Sequence, residues 1–152
     1  MADAVGLETL DLAADRALFE GKLQGMVVTC YQNERPLAGL AGLLDWRFHG
    51  ALSRCLRQGA FSGKPGECVY FPVTRHLQGG STQVIHLILA GCGHSTEPGA
   101  RGDVPAETLA LVRQNLASLR LKRIGASRAD FGAAGPEYFG KSLKGVELWI
   151  TP

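Results

Sequence analysis

Two apolar runs constrain this chain more than anything else in it. They cover residues 24–31 (QGMVVTCY) and residues 84–90 (VIHLILA). Each is nearly continuous, and the first is rich in β-branched side chains. A strand of this kind has two faces to bury, so it belongs in a sheet covered by helices on both sides. Between the runs, Leu37, Leu40, Ala41, Leu44, Phe48, Ala51, Leu52 and Cys55 recur at helical spacing over residues 37–58. That spacing gives one apolar stripe on a helix. Asp45, Arg47, His49, Arg54 and Arg57 take the other faces. Gly39, Gly42 and Gly50 lie inside the pattern, which predicts close packing on a neighbour or a break in mid-helix. Pro36 is placed for the helix start.

The remaining elements are shorter. Residues 59–66 (GAFSGKPG) read as a glycine-rich turn and residues 68–72 (CVYFP) as a strand. Further strand patterns cover residues 5–12, 122–126 and 146–151. Asp103 and Pro105 mark the start of a helix whose stripe is Leu109, Val112, Leu116 and Leu119. A glycine-rich stretch over residues 131–135 leads into a short helix over residues 136–143. Strands that alternate with helices predict a three-layer α/β/α fold with a mixed, mostly parallel sheet of five or six strands. A length of 152 residues predicts a single domain over residues 1–152.

Charge and cysteine usage exclude some functions. The net charge of +2 is too small to argue for nucleic acid, although it is unevenly spread. Residues 1–45 carry seven acids against three bases, and residues 46–152 carry thirteen bases against seven acids. Cys30, Cys55, Cys68 and Cys92 form no CxxC pair and sit in or beside apolar elements, so they read as free buried thiols and not as zinc ligands. No metal or cofactor is expected. There is no signal-peptide pattern, and no apolar run nears the ~20 residues of a membrane span. A cytoplasmic protein that does not engage a membrane is expected.

The stretch from Phe48 through Gly66, followed by Glu67, resembles the N-terminal domain of M17 leucyl aminopeptidases. In that family a helix ends in a pattern like ALLxxGxFxGKxGE, and a later strand ends in hhhhGhG. Here Gly63-Lys64-Pro65-Gly66-Glu67 and Leu87-Ile88-Leu89-Ala90-Gly91-Cys92-Gly93 match in order and at suitable spacing. The resemblance is specific over residues 37–93 and extends in element order from 103 to 152. It implies a macro-domain-like α/β/α fold. It also implies that peptide hydrolysis belongs to a separate C-terminal domain with two metals and a signature like NTDAEGR, a segment these residues do not contain. The expectation is a stand-alone, non-catalytic module rather than an enzyme.

Three sets of residues are candidates for binding. Gly91, Cys92, Gly93 and His94 follow a central strand, and Gly132 and Gly135 precede a helix. Glycines at such places let backbone amides approach an anion such as a nucleotide or ADP-ribose. Cys92 and His94 also have the residue types of a thiol–imidazole pair. Arg120, Lys122, Arg123 and Arg128 cluster within nine residues and suggest DNA contact, which Arg54, Arg57 and Lys64 would extend if the fold brought them near. Trp46, Phe61 and Tyr138 are candidate anchors for a protein partner or a second copy of the chain, because aromatic residues dominate interface energetics. A turn glycine, a solvated charge and a core aromatic are the structural alternatives to these roles. The leading expectation is protein–protein interaction or self-assembly, followed by small-anion binding and then DNA binding.

Overall fold

The computed structural model describes residues 8–9, 18, 20–21, 23–96, 104–127 and 147–151. Its strands are β1 (Glu8–Thr9), β2 (Gly25–Cys30), β3 (Cys68–His76), β4 (Thr82–Gly91), β5 (Arg123–Ser127) and β6 (Glu147–Thr151). Its helices are α1 (Gly39–Arg47), α2 (Ala51–Arg57) and α3 (Ala106–Leu119).

The two apolar runs become β2 and β4, which pair in parallel from Gly25 against His86 to Cys30 against Gly91. Alternate side chains leave opposite faces of a strand. Met26, Val28 and Cys30 of β2 join Ile85, Leu87 and Leu89 of β4 in one core, which α1 and α2 cover. Val27, Ile88 and Ala90 enter a second core with Leu109, Val112 and Leu116 of α3. The continuous apolar pattern is thus the signature of two cores, one on each face of the sheet. Helices therefore lie in layers on both sides of it.

The strand order is β1-β6-β5-β2-β4-β3. Every neighbouring pair runs parallel except β3 and β4, which form an antiparallel hairpin from Cys68 against Ala90 to His76 against Thr82. The sequence pattern suggests two short strands and a loop. The strands instead run on to a tight turn, closed by Leu77 N–H donating to Ser81 O at 2.8 Å. Polar residues conceal this extension because β3 is an edge strand, half-buried along much of its length. Pro72 lies at its middle, as edge strands permit.

The expected helix over residues 37–58 is two helices. Its apolar stripe survives the break: Leu40, Ala41, Leu44, Phe48, Leu52 and Cys55 all enter the same core. The chain turns at His49 and Gly50, both at positive φ, a region that glycine enters freely. Asp45 holds the turn. Its carbonyl accepts from Gly50 N–H at 2.8 Å, and its carboxylate accepts from Ser53 N–H at 3.0 Å and from the Ser53 hydroxyl. The α1 side chain thereby caps α2, satisfying a donor that a helix start leaves open. α1 itself begins three residues after Pro36.

Pro105 is the residue preceding the first turn of α3, and Arg120 ends that helix in the left-handed region, at φ 54°. Of the strand expected over residues 5–12, the described part is β1. The stretch over residues 131–135 and the helix expected over residues 136–143 lie outside the described residues. No helix among the described residues is long and apolar enough to cross a membrane.

Candidate functional site

Strands β2, β4, β5 and β6 point the same way, so their C-terminal ends share one edge of the sheet. Ligands of open α/β sheets bind beyond that edge. At the ends of β2 and β4, among the described residues, the chain's own loops occupy it. The turn after α2 is anchored by Phe61, which is 0% exposed in the α1–α2 core. Next, Glu67 folds back over it. One carboxylate oxygen, Oε1, accepts from Ser62 N–H at 2.9 Å, the Ser62 hydroxyl at 2.9 Å, Gly63 N–H at 2.8 Å and Lys64 N–H at 3.2 Å. Burial pushes this carboxyl up, but the four donors together outweigh burial and hold it below its ordinary value. A concave set of backbone amides of this kind is an anion site, and the anion in it is the protein's own.

The loop after β4 locks onto the same turn. Gly91 N–H donates to Glu67 O at 2.9 Å, Gly93 N–H to Gly63 O at 2.8 Å and Cys92 N–H to Cys30 O at 3.0 Å. Thr108, fully buried in the first turn of α3, accepts from Gly66 N–H and donates to Gly91 O, both at 2.8 Å. A Cβ on Gly91 would lie inside contact distance of the Lys64 carbonyl oxygen and 2.9 Å from the Gly63 carbonyl carbon. Gly91 is glycine because two backbones touch there. Arg35 ties in the loop after β2 by donating to Tyr31 O and Glu34 O at 2.7 Å and to Ser62 O at 3.2 Å.

The expected anion loop is therefore corrected at Gly91, Cys92 and Gly93. Their amides hold the fold together and do not point to an open site. His94 is exposed beside them. Cys92 Sγ is directed at Ala90 O, 3.7 Å away. Gly132 and Gly135 lie outside the described residues. Glu67 and Thr108 were missed as organising residues. The glutamate of the GKPGE run was visible, whereas nothing local marks Thr108.

The basic cluster sits at the opposite, N-terminal edge. Lys122 and Arg123 donate their backbone N–H groups to Gln24 Oε1, at 2.6 and 3.0 Å, and Arg120, Lys122 and Arg123 are exposed. Arg54 and Arg57 lie on α2, across the sheet from α3, and Lys64 lies at the C-terminal edge. The fold does not gather these bases on one face. Arg128 lies outside the described residues.

Trp46 is 72% exposed, with the Arg47 guanidinium 5.7 Å from its ring centroid, so it is free for a contact. Phe61 is not: the expectation that it is an exposed anchor is overturned by its complete burial. Tyr138 lies outside the described residues. Near α2, an open groove of about 320 Å³ is lined by Arg54, Cys55, Gln58, Ala60, Val69 and Phe71 among others.

Thiol and imidazole chemistry has little to build on here. None of the four cysteines forms a disulfide. Burial pushes the Cys68 thiol up to about 11, although Asn115 Nδ2 donates to it at 3.5 Å, and burial also raises Cys55. A protonated thiol is a poor nucleophile. His86, half-buried on β4, has its Nδ1 2.6 Å from Tyr70 Oη, and burial lowers its pKa. Among the described residues, no group of three or more His, Cys, Asp or Glu is placed to hold a metal ion.

Comparison with known proteins places this geometry. The family model for the N-terminal domain of the cytosol aminopeptidase family matches residues 27–135. No curated protein matches the chain. Among solved structures, a mutant of tomato leucine aminopeptidase superposes with a TM-score of 0.58 at 15% identity, over 97% of this chain and 32% of that one. The chain thus spans about a third of the tomato enzyme. The macrodomain of Thermus aquaticus DarG superposes with a TM-score of 0.61 at 17% identity, over 96% of this chain and 97% of the other. Thermosipho africanus DarTG in complex with ADP-ribose gives 0.58 at 12% identity, over 88% of this chain and 39% of that one. At these identities the likeness is one of fold.

Proposed function

The chain belongs to the cytosol aminopeptidase family through its N-terminal domain, and from that premise we propose that it is a non-catalytic binding module acting by protein–protein contact or self-assembly. The observation that carries this reading is Trp46, a large aromatic side chain left 72% in solvent. Leu43, three residues earlier on α1 and also exposed, shares its side of the helix. Aromatic residues on a rigid helix are the common anchors of interfaces. The bonded end of β4 supports the same reading, because the amides of Gly91, Cys92 and Gly93 are already bonded within the protein.

Sedimentation velocity over a range of concentrations tests self-assembly. A defined oligomer that Trp46→Glu dissociates supports it. A monomer at every concentration removes self-assembly and leaves a different protein as the partner.

The second reading is a module for a nucleotide or ADP-ribose-like anion. It is favoured by the likeness to macrodomains, one of them in complex with ADP-ribose. The ligand would use His94 and the loop containing Gly132 and Gly135. A thermal-shift panel of nucleotides, ADP-ribose and inorganic phosphate tests it. Binding stabilises by about 2.7 kcal/mol at a hundredfold excess over Kd. A shift with one ligand, lost on replacing Gly135 by a bulky residue, puts this reading first. No shift with any of them removes it.

A further inference from the structure

We infer that the groove between α2 and the edge strand β3 docks a short amphipathic segment of a partner protein, one that presents a large apolar side chain beside carboxylates. This rests on the interaction reading above and names where and what the module binds.

The groove follows from the position of β3. Among the described strands β3 is the last of the sheet, and α2 runs beside it across the groove. Ala51, Arg54, Cys55 and Gln58 fall at i, i+3, i+4 and i+7 on α2 and line one wall. Val69 and Phe71, alternate residues of β3 on one face, form the floor, and both are only half-buried. The volume of about 320 Å³ is at the small end of ligand pockets, which suits an apolar side chain better than a whole cofactor.

Charge selects the partner. Residues 46–66 hold Arg47, Arg54, Arg57 and Lys64 and no acid. The acids that flank this stretch are engaged elsewhere: Asp45 caps α2, and Glu67 fills its own turn. Arg54 donates one bond, to His49 O at 2.8 Å, and its exposed guanidinium stands on the rim of the groove. A guanidinium at an apolar rim recognises a carboxylate with geometric specificity. The apolar floor favours a peptide over nucleic acid, whose phosphates would leave Val69 and Phe71 without a partner. Pro72 lacks the N–H that a further strand would need at the middle of β3, so the segment docks through side chains and does not extend the sheet.

The test is selection of a random-peptide display library on the 152-residue chain, with the selected peptides remeasured by fluorescence polarisation. The expected peptides share a large apolar residue within a few positions of Asp or Glu. Arg54→Glu and the groove-filling Ala60→Trp should each weaken them at least about tenfold, whereas Arg123→Glu leaves them unchanged. Thermal melts monitored by circular dichroism confirm that each variant is folded. Peptides that bind the Arg54→Glu and Ala60→Trp variants as tightly as the parent overturn the groove but leave the interaction reading standing. No enriched peptide, together with a monomer by sedimentation, overturns both. A DNA oligonucleotide released by Arg54→Glu but not by Ala60→Trp, with no enriched peptide, replaces the peptide with nucleic acid.

Discussion

At the C-terminal edge of the sheet, the 61–67 turn, the end of β2, the loop after β4 and the start of α3 meet backbone to backbone, and their polar groups bond to one another. On the α1–α2 side, the segment just before that turn leaves Trp46 and Leu43 in solvent and an apolar groove open beside Arg54. Both regions come from the same stretch of sequence, and α2 and its turn pass directly from one to the other. Glycine-rich backbone is the usual place to look for a ligand, and exposed side chains are usually read as mere surface. Here Gly91 and Gly93 serve cohesion, and Trp46 and Leu43 stand in solvent. What lies opposite a residue, and not its type, decides between these uses.

If this contrast is right, substitutions in the first region should cost stability and those in the second should not. The largest loss is expected for Phe61→Ala. Phe61 is fully buried and pins the turn to the core, so its truncation should cost about 3–5 kcal/mol in urea unfolding. Next comes Gly91→Ala, where a Cβ collides with backbone that has no rotamer to change. About 2–3 kcal/mol is expected, typical of overpacking. The control is Gly59→Ala, at φ 78° with nothing within 4 Å of the added atom, which should cost only about 1–2 kcal/mol. Equal losses at Gly91 and Gly59 would mean that the backbones do not interlock.

Thr108→Val keeps the shape but removes the hydroxyl that joins Gly66 to Gly91. It leaves a backbone donor and an acceptor without this partner, which should cost about 1–3 kcal/mol, with Thr108→Ser closer to the parent. Glu67→Ala should cost less, about 1 kcal/mol, because the carboxylate is only half-buried and water screens part of what the four donors give. Its pH dependence has a definite sign. The folded carboxyl titrates below its ordinary value of 4.5. The contribution is therefore present in full above the unfolded value and is lost as pH falls through the lowered folded value. The difference between parent and Glu67→Ala should be constant from pH 8 to pH 6 and shrink as pH falls below the ordinary value of 4.5. A difference that grows in acid would contradict the geometry at Glu67.

The sequence made the inner sheet legible and the edges poorly so, for physical reasons. The runs at residues 24–31 and 84–90 were readable because a strand buried on both faces keeps few polar positions to confuse the pattern. The helical stripe was readable because its residues share one core even across a break. The break itself depends on Asp45 reaching the start of α2, a contact made only in three dimensions. The hairpin was hidden by Thr74, Arg75 and His76, which an edge strand can carry and an inner strand cannot. Phe61 was misread because a single apolar residue in a glycine-rich turn has no periodicity to mark its side. The GKPGE and GCG motifs drew attention to the right loops. Their meaning turned on Glu67 and Thr108, whose partners lie across the junction.

The smallest effect on stability is expected at Trp46, and it tests the second region most directly. Its side chain is mostly in water and its ring neighbour is Arg47. An exposed cation–π contact contributes little, on the order of 0.5–1 kcal/mol. Trp46→Ala removes a large exposed apolar surface and gives up only that contact. At concentrations where the protein is a monomer, the stability should change by no more than that contact contributes, about 0.5–1 kcal/mol, while the far-ultraviolet spectrum stays that of the parent. Phe61→Ala, fifteen residues away in the same aromatic class, should unfold far more easily. A loss at Trp46 comparable to that at Phe61 would mean that Trp46 is buried in the protein in solution, by a second copy or by the rest of its own chain. The concentration dependence of the midpoint would tell these apart, since only association makes stability depend on protein concentration.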